Sequence, residues 1–286
     1  MQVVHGQDIP WSEQEERHRI SSLGFKTLFK GVEGDPNNFR WVLSRNDGEY
    51  SSPHHRHSFD QIRFCVKGST NIAPGKTLHE GDVGFFPEGT PYGPQKDVGG
   101  GRITLVFQGG GASGLGYMSS VELRRGLEEL EKLGTFEGGR YRFHGQPETA
   151  ARDSYEAIWE HVFGRPLEYP PQRYDEAILM RTASFVWLPD AGATGVSRRR
   201  LGTFTERQTR LEMIRLDQNA KIKIGEPGAM VLAFVVTGSG GGSAGPWRQH
   251  SAFRIEAGET VELASAELSE LHVIVLPTVK APGGAE

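Results

Sequence analysis

PHHRHSFDQIRFCVKG, from Pro53 to Gly68, and GDVGFFPEGTPYG, from Gly81 to Gly93, decide how the rest of the chain is read. The first has the form H-x-H-x3-Q-x6-G, with His55, His57, Gln61 and Gly68 at the fixed places. The second has the form G-x5-P-x-G-x2-Y, with Gly81, Pro87, Gly89 and Tyr92. Only 12 residues separate Gly68 from Gly81, so both stretches belong to one small barrel. Side chains alternate between the two faces of a strand, so residues of one parity line one interior. On an unbroken strand His55, His57, Phe59, Gln61, Arg63 and Cys65 share that interior, while His54 and Asp60 face away.

Two imidazoles and a carboxamide oxygen then converge. Imidazole suits zinc, iron, nickel and copper, and two histidines plus an oxygen with open positions is the arrangement of non-heme iron. Arg63 is expected either to hold a carboxylate, phosphate or enolate in a bidentate way, or to be satisfied at the barrel mouth by Asp60 or Asp82. Cys65 reads as a small buried hydrophobe. Val83, Phe85 and Phe86 form a strand that ends in a turn punctuated by Pro87, Gly89, Pro91, Gly93 and Pro94.

The two stretches resemble the signature motifs of the cupin superfamily. The resemblance departs at two places: Gln61 stands where cupins usually carry glutamate, and Tyr92 where they carry the last histidine. It implies that Tyr92 points into the barrel beside the histidines, as an oxygen ligand, a hydrogen-bond donor or a proton donor. It implies a metal set of His55, His57, Gln61 and Tyr92 for one divalent transition metal, iron first, with zinc, nickel, manganese or copper as alternatives. Tyr92 and Arg63 are the expected catalytic residues. The expected activity is that of a metal-dependent enzyme on a small anionic organic substrate. A dioxygenase leads, with an isomerase or lyase, or a small-ligand binding protein, as the alternatives.

The 286 residues suffice for two domains, and a hydrophobic fraction of 36% suits a globular protein. No run approaches the roughly 18 apolar residues of a membrane helix. The N-terminal stretch has no basic segment leading into an apolar one, and a lone cysteine forms no intrachain disulfide; a cytoplasmic location is expected. A net charge of −4 argues against nucleic acid as a partner.

Along the chain, residues 1–22 read as an irregular polar arm with a short helix near Ser12–Arg19, and 23–112 as the first barrel. Residues 113–172 read as a helical insert. Ser119 and Glu122 make a capping box before Leu123, Leu127, Leu130 and Leu133, and a second helix spans Glu148–Phe163 until Gly164 ends it. Strands return over 173–286, where Ile255–Leu263 echoes Leu78–Phe86. The fold expected is mainly β, two jelly-roll barrels joined by the insert. The second barrel is degenerate, with Arg198 and Arg200 near the place of a His-x-His, His250 and His272 isolated, and a packing or homodimer-forming role.

Overall fold

Short β-branched and aromatic runs between glycine and proline turns assemble into two seven-stranded antiparallel sheets with the same internal order. The computed structural model describes residues 1–15, 22–97 and 99–279. The first sheet runs Ile178–Met180, Val83–Phe86, Asp60–Lys67, Arg102–Gly109, Phe39–Asn46, Ser22–Lys30, Ser12–Glu15. The second runs Gln2–His5, Ser251–Ile255, Ala229–Thr237, Ser269–Pro277, Thr209–Leu216, Val196–Phe204, Leu188–Pro189. Smaller sheets close each barrel, Tyr50–Ser52 with Gln95–Asp97 in the first and a four-stranded sheet in the second.

The ends of the large sheets depart from the expected boundaries. Gln2–His5 is no irregular arm but the edge strand of the second sheet, paired with Ser251–Ile255. Ile178–Met180, placed by sequence in the second barrel, pairs with Val83–Phe86 at the edge of the first. Each barrel thus has an exposed ladder covered by a segment from outside its own stretch of chain, which removes a pairing edge. Ser12–Glu15 is a strand rather than a helix, paired with Ser22–Lys30, and the rest of the expected helix to Arg19 lies outside the described residues.

The large sheets pack face to face. Ile62, Phe64, Phe85 and Trp41 from the first meet Phe204, Leu211, Phe234 and Ile274 from the second in one apolar core. Phe85 stacks on Phe204 at 4.7 Å, and Trp41 meets Phe234 edge-on at 6.3 Å. His272 belongs to this core, flat against Phe64 at 5.0 Å. It is fully buried, neither ring nitrogen has a hydrogen-bond partner among the described residues, and burial pushes its pKa down to about 3, so the ring is neutral.

The insert carries the two expected helices but is not helical throughout: a small antiparallel sheet of Gly134–Glu137, Arg140–Phe143 and Arg152–Asp153 lies between them. Helix α1, Ser120–Leu130, starts at the Ser119–Glu122 capping box. Helix α2, Ser154–Phe163, is shorter than expected: a 3₁₀ turn occupies Glu148–Ala150, and the true cap is Asp153, whose carboxylate accepts from the backbone of Tyr155 and Glu156. Gly164 closes it at φ 63°. Tyr155, Ile158 and Trp159 join Leu127, Leu130 and Tyr141 in a satellite core that also holds Phe59.

The sheet order corrects two further readings. Ala229–Thr237 occupies in the second sheet the place of Asp60–Lys67 in the first, so the counterpart of the His-x-His segment is the chain just before Ala229, not Arg198 and Arg200. Ile255–Leu263 spans the turn after Ser251–Ile255, whereas Leu78–Phe86 spans the turn before its counterpart strand Val83–Phe86. The echo is one of turn chemistry, with Gly81 at φ 84° and Gly258 at φ 81°.

Candidate functional site

The strand Asp60–Lys67 sorts its side chains as the period of two demands. Ile62 and Phe64 enter the core between the sheets, whereas Gln61 and Arg63 line the barrel interior and Cys65 is buried among Ile72, Phe86 and Tyr92. Burial pushes the Cys65 thiol up to about 12, with Glu80 and Asp82 adding to it, so it is no nucleophile. Asp60 faces away from the interior as expected, yet it is buried: it accepts the Glu88 backbone N–H at 2.9 Å, and desolvation lifts its pKa to about 7.

The ladder does not extend back to the histidines, because the strand begins at Asp60. They arrive by another route. His55 and Tyr92 exchange backbone hydrogen bonds, 3.1 Å from His55 N to Tyr92 O and 2.9 Å in return, and Gly89 N donates to His57 O at 2.8 Å. The turn carrying Tyr92 needs its glycines. Gly89 and Gly93 lie at φ 76° and 95°, and a Cβ would meet Pro170 O at 2.3 Å and Pro53 O at 2.9 Å respectively.

His55 Nδ1 lies 2.7 Å from Pro53 O, so that nitrogen carries the proton and Nε2 presents its lone pair inward. Nε2 is 3.1 Å from the Tyr92 hydroxyl, which is 3.4 Å from Gln61 Oε1. The His57 ring is 4.9 Å from that of His55 and 5.5 Å from that of Tyr92, and it stacks on Phe59 at 4.4 Å. The insert buttresses this arrangement, since Tyr155 packs against both Phe59 and His57.

Arg63 binds the set together. Its Nε donates to Gln61 Oε1 at 2.6 Å, one terminal nitrogen to Gln95 Oε1 at 3.2 Å and the other to the Tyr92 hydroxyl at 3.1 Å. Its guanidinium lies over Phe86, 4.7 Å from the ring centre. Neither Asp60 nor Asp82 satisfies it; Asp82 pairs with Arg181.

The donor set fits a divalent transition ion. Donors at about 2.0–2.2 Å from one ion stand roughly 3–3.5 Å from each other, and Tyr92 Oη has that spacing to His55 Nε2 on one side and to Gln61 Oε1 on the other. The carbonyl on His55 Nδ1 is the outer partner that a metal-bound histidine ordinarily has. Among the described residues no three His, Cys, Asp or Glu side chains cluster for metal binding, so the set depends on the neutral oxygens of Tyr92 and Gln61.

Two cavities flank the set. The inner one, about 110 Å³, lies within the barrel and is lined by Arg40, Gln61, Arg63, Gln95, Arg102 and Gln108 with apolar neighbours. The outer one, about 380 Å³, reaches His55 from under the insert, between His54, Arg56, Asp153, Glu156 and Tyr169. Arg56 stacks on Tyr169 at 4.0 Å, and burial, then Glu156, pushes the Tyr169 hydroxyl above its ordinary range. Arg40, Gln95, Arg102, Tyr155 and Tyr169 escaped the sequence reading. Strand alternation in FRWVLS could have found Arg40, and the proline-marked turn after Tyr92 could have found Gln95.

The chain is similar in structure to a presumptive dioxygenase from Nostoc punctiforme PCC 73102, with a TM-score of 0.62, 11% identity, and 99% of this chain and 84% of that one covered. It is also similar to oxalate decarboxylase from Bacillus subtilis, at TM-score 0.55, 13% identity, and 96% and 76% coverage. Vicilin from hazelnut, Corylus avellana, gives TM-score 0.52, 14% identity, and 96% and 85% coverage. No protein-family model and no curated protein matches the chain by sequence. At these identities the likeness establishes the fold, which is that of the two-barrel cupins. Among the described residues no helix is long and apolar enough to cross a membrane.

Proposed function

We propose that this two-barrel cupin is a metal-dependent enzyme that acts on a small anionic organic substrate in its first barrel, most readily as a dioxygenase. The observation that carries the reading is the convergence of His55 Nε2, Tyr92 Oη and Gln61 Oε1 at ligand-to-ligand spacing beside an inward guanidinium. The resemblance to a presumptive dioxygenase and to a decarboxylase of a small acid supports it at the level of fold.

His55, His57 and Tyr92 would hold the ion, with Gln61 as the fourth donor. When bound, it would supply Lewis-acid or oxygen-activating chemistry. The chain's own groups do the rest. Arg63 has five N–H donors and spends three on Gln61, Gln95 and Tyr92, which leaves two to orient a carboxylate. The Tyr92 hydroxyl, between His55 Nε2 and Arg63, is placed to donate its proton or to accept one while the guanidinium stabilises the oxygen charge. Phe86 and the buried walls exclude water from that exchange. The lone buried thiol suits a reducing, cytoplasmic setting.

Metal analysis of the purified chain, with oxygen uptake measured over a panel of short carboxylic acids, tests the reading. Near-stoichiometric metal that the double variant His55→Ala with His57→Ala loses is the expected result. Metal retained by that variant after dialysis against chelator would sink the assignment. Substrate turnover without oxygen uptake would replace the dioxygenase with an isomerase or lyase.

A further inference from the structure

The inner cavity of the first barrel carries an imbalance of charge that the metal set does not use. Three arginines line it, Arg40, Arg63 and Arg102, and among the described residues no Asp or Glu does. Arg102 is neutralised by Asp97. Among the described residues Arg63 hydrogen-bonds only to neutral groups. Arg40 lies over the Phe25 ring at 4.4 Å, and among the described residues no carboxylate pairs with either Arg40 or Arg63. Both face the same interior: Gln108 pairs across the sheet with Arg40 on one side and Gln61 on the other, and Arg63 is one inward position beyond Gln61.

Two uncompensated guanidinium groups in one cavity, within a chain of net charge −4, are not the by-product of a basic protein. Half-buried charges cost desolvation energy unless an opposite charge meets them. Phe25, Val42 and Val106 between them supply apolar wall. The cavity is small, about 110 Å³. The small volume and the apolar wall favour a compact ligand with a short aliphatic linker between two acidic groups.

We infer that the cavity takes a short aliphatic dicarboxylate, one carboxylate on the two free N–H groups of Arg63 and the second on Arg40, with the methylene linker against Val42 and Val106. This rests on the reading of Arg63 as an anion anchor and adds Arg40 as the residue that selects dianions over monoanions. The guanidinium fork makes each contact directional, so chain length as well as charge is selected.

Calorimetry with malonate and succinate, against acetate and inorganic phosphate as one-centre anions, tests it on the full chain, both as purified and after chelation. The chelated protein binds the better of the two dicarboxylates at least tenfold tighter than acetate or phosphate. Arg40→Gln brings that dicarboxylate down to the acetate level and leaves acetate unchanged, Arg40→Lys keeps part of the preference, and Arg63→Gln weakens all four. Thermal unfolding shows that the variants remain folded. Equal binding of dicarboxylates and acetate by the wild type, tighter binding of phosphate than of either dicarboxylate, or an undiminished preference in folded Arg40→Gln overturns the inference. A chain that carries no metal as purified and still prefers a dicarboxylate refutes the metal assignment alone, and a metal-loaded, oxygen-consuming chain without the preference refutes this inference alone.

Discussion

The two barrels have the same strand order and opposite interiors. On the central strand of the first, Gln61, Arg63 and Cys65 face inward, and the cavity beside them is polar and cationic. On its counterpart in the second, Val231, Ala233 and Val235 face inward and pack with Trp247, Phe253, Ile255 and Leu263. The second barrel's arginines also differ: Arg198 pairs with Asp190 and Glu212, and Arg210 with Glu226. The topology is indifferent to chemistry, and a handful of inward positions decides whether a barrel is a core or a site. The apolar outer faces of both sheets are shared, so the second barrel supports the first by direct packing.

The sharpest way to break this contrast is to hollow the second barrel. Phe253→Ala removes a fully buried ring and should cost about 3–5 kcal/mol of stability, read by denaturant unfolding, while metal content and ligand affinity of the folded fraction stay unchanged. Loss of metal from the folded variant would show that the second barrel takes part in the site.

Next in size are two buried groups that respond oppositely to pH. Asp60, at the junction with Glu88 and near Arg207 and Arg173, has its folded pKa raised to about 7. Its unfolded form gives up its proton first, so stability falls as pH rises from about 4 to about 7. His272, with its folded pKa lowered to about 3, acts the other way, and stability falls as pH drops from about 6.5 towards 3. Each effect is worth roughly 2–4 kcal/mol. Asp60→Asn should flatten the first slope and His272→Phe the second, measured as melting temperature against pH. An unchanged profile in either variant contradicts the assignment of that group.

Smaller is the effect of Tyr92→Phe, which deletes one hydroxyl between His55 and Arg63. A hydrogen bond to a charged group is worth about 1.5–3 kcal/mol, so turnover or ligand affinity should fall about ten- to a hundredfold. With iron(III) loaded, disappearance of a visible charge-transfer band would identify the phenol as a ligand. Retained metal with weakened turnover would assign it to proton transfer.

Much of the first site was legible because its code is local. The spacing of His55, His57 and Gln61, the turn glycines Gly89 and Gly93, and the period of two along Asp60–Lys67 act over a few residues. The route of the histidines was not, since parity assumed a ladder that begins only at Asp60, and the pairing of His55 with Tyr92 spans 37 residues. The edge strands Gln2–His5 and Ile178–Met180 were hidden for a similar reason: their partners lie in the other half of the chain, and short edge strands carry little pattern of their own.

Sequence alone determined that the chain builds β-barrels and that two helices follow the first, and it singled out His55, His57, Gln61, Arg63 and Tyr92 as a set. Those outcomes rest on side-chain alternation, capping and turn chemistry, which neighbouring residues settle among themselves. Tertiary structure decided which charges are met. It gave Arg63 the neutral oxygens of Gln61, Gln95 and Tyr92 rather than Asp60 or Asp82, and it set Arg40 opposite with no acid paired to it among the described residues. It buried Asp60 against Glu88 and sealed His272 between the sheets. Electrostatic partners are chosen by distance in space, and strands that lie side by side in these sheets come from segments far apart in the chain.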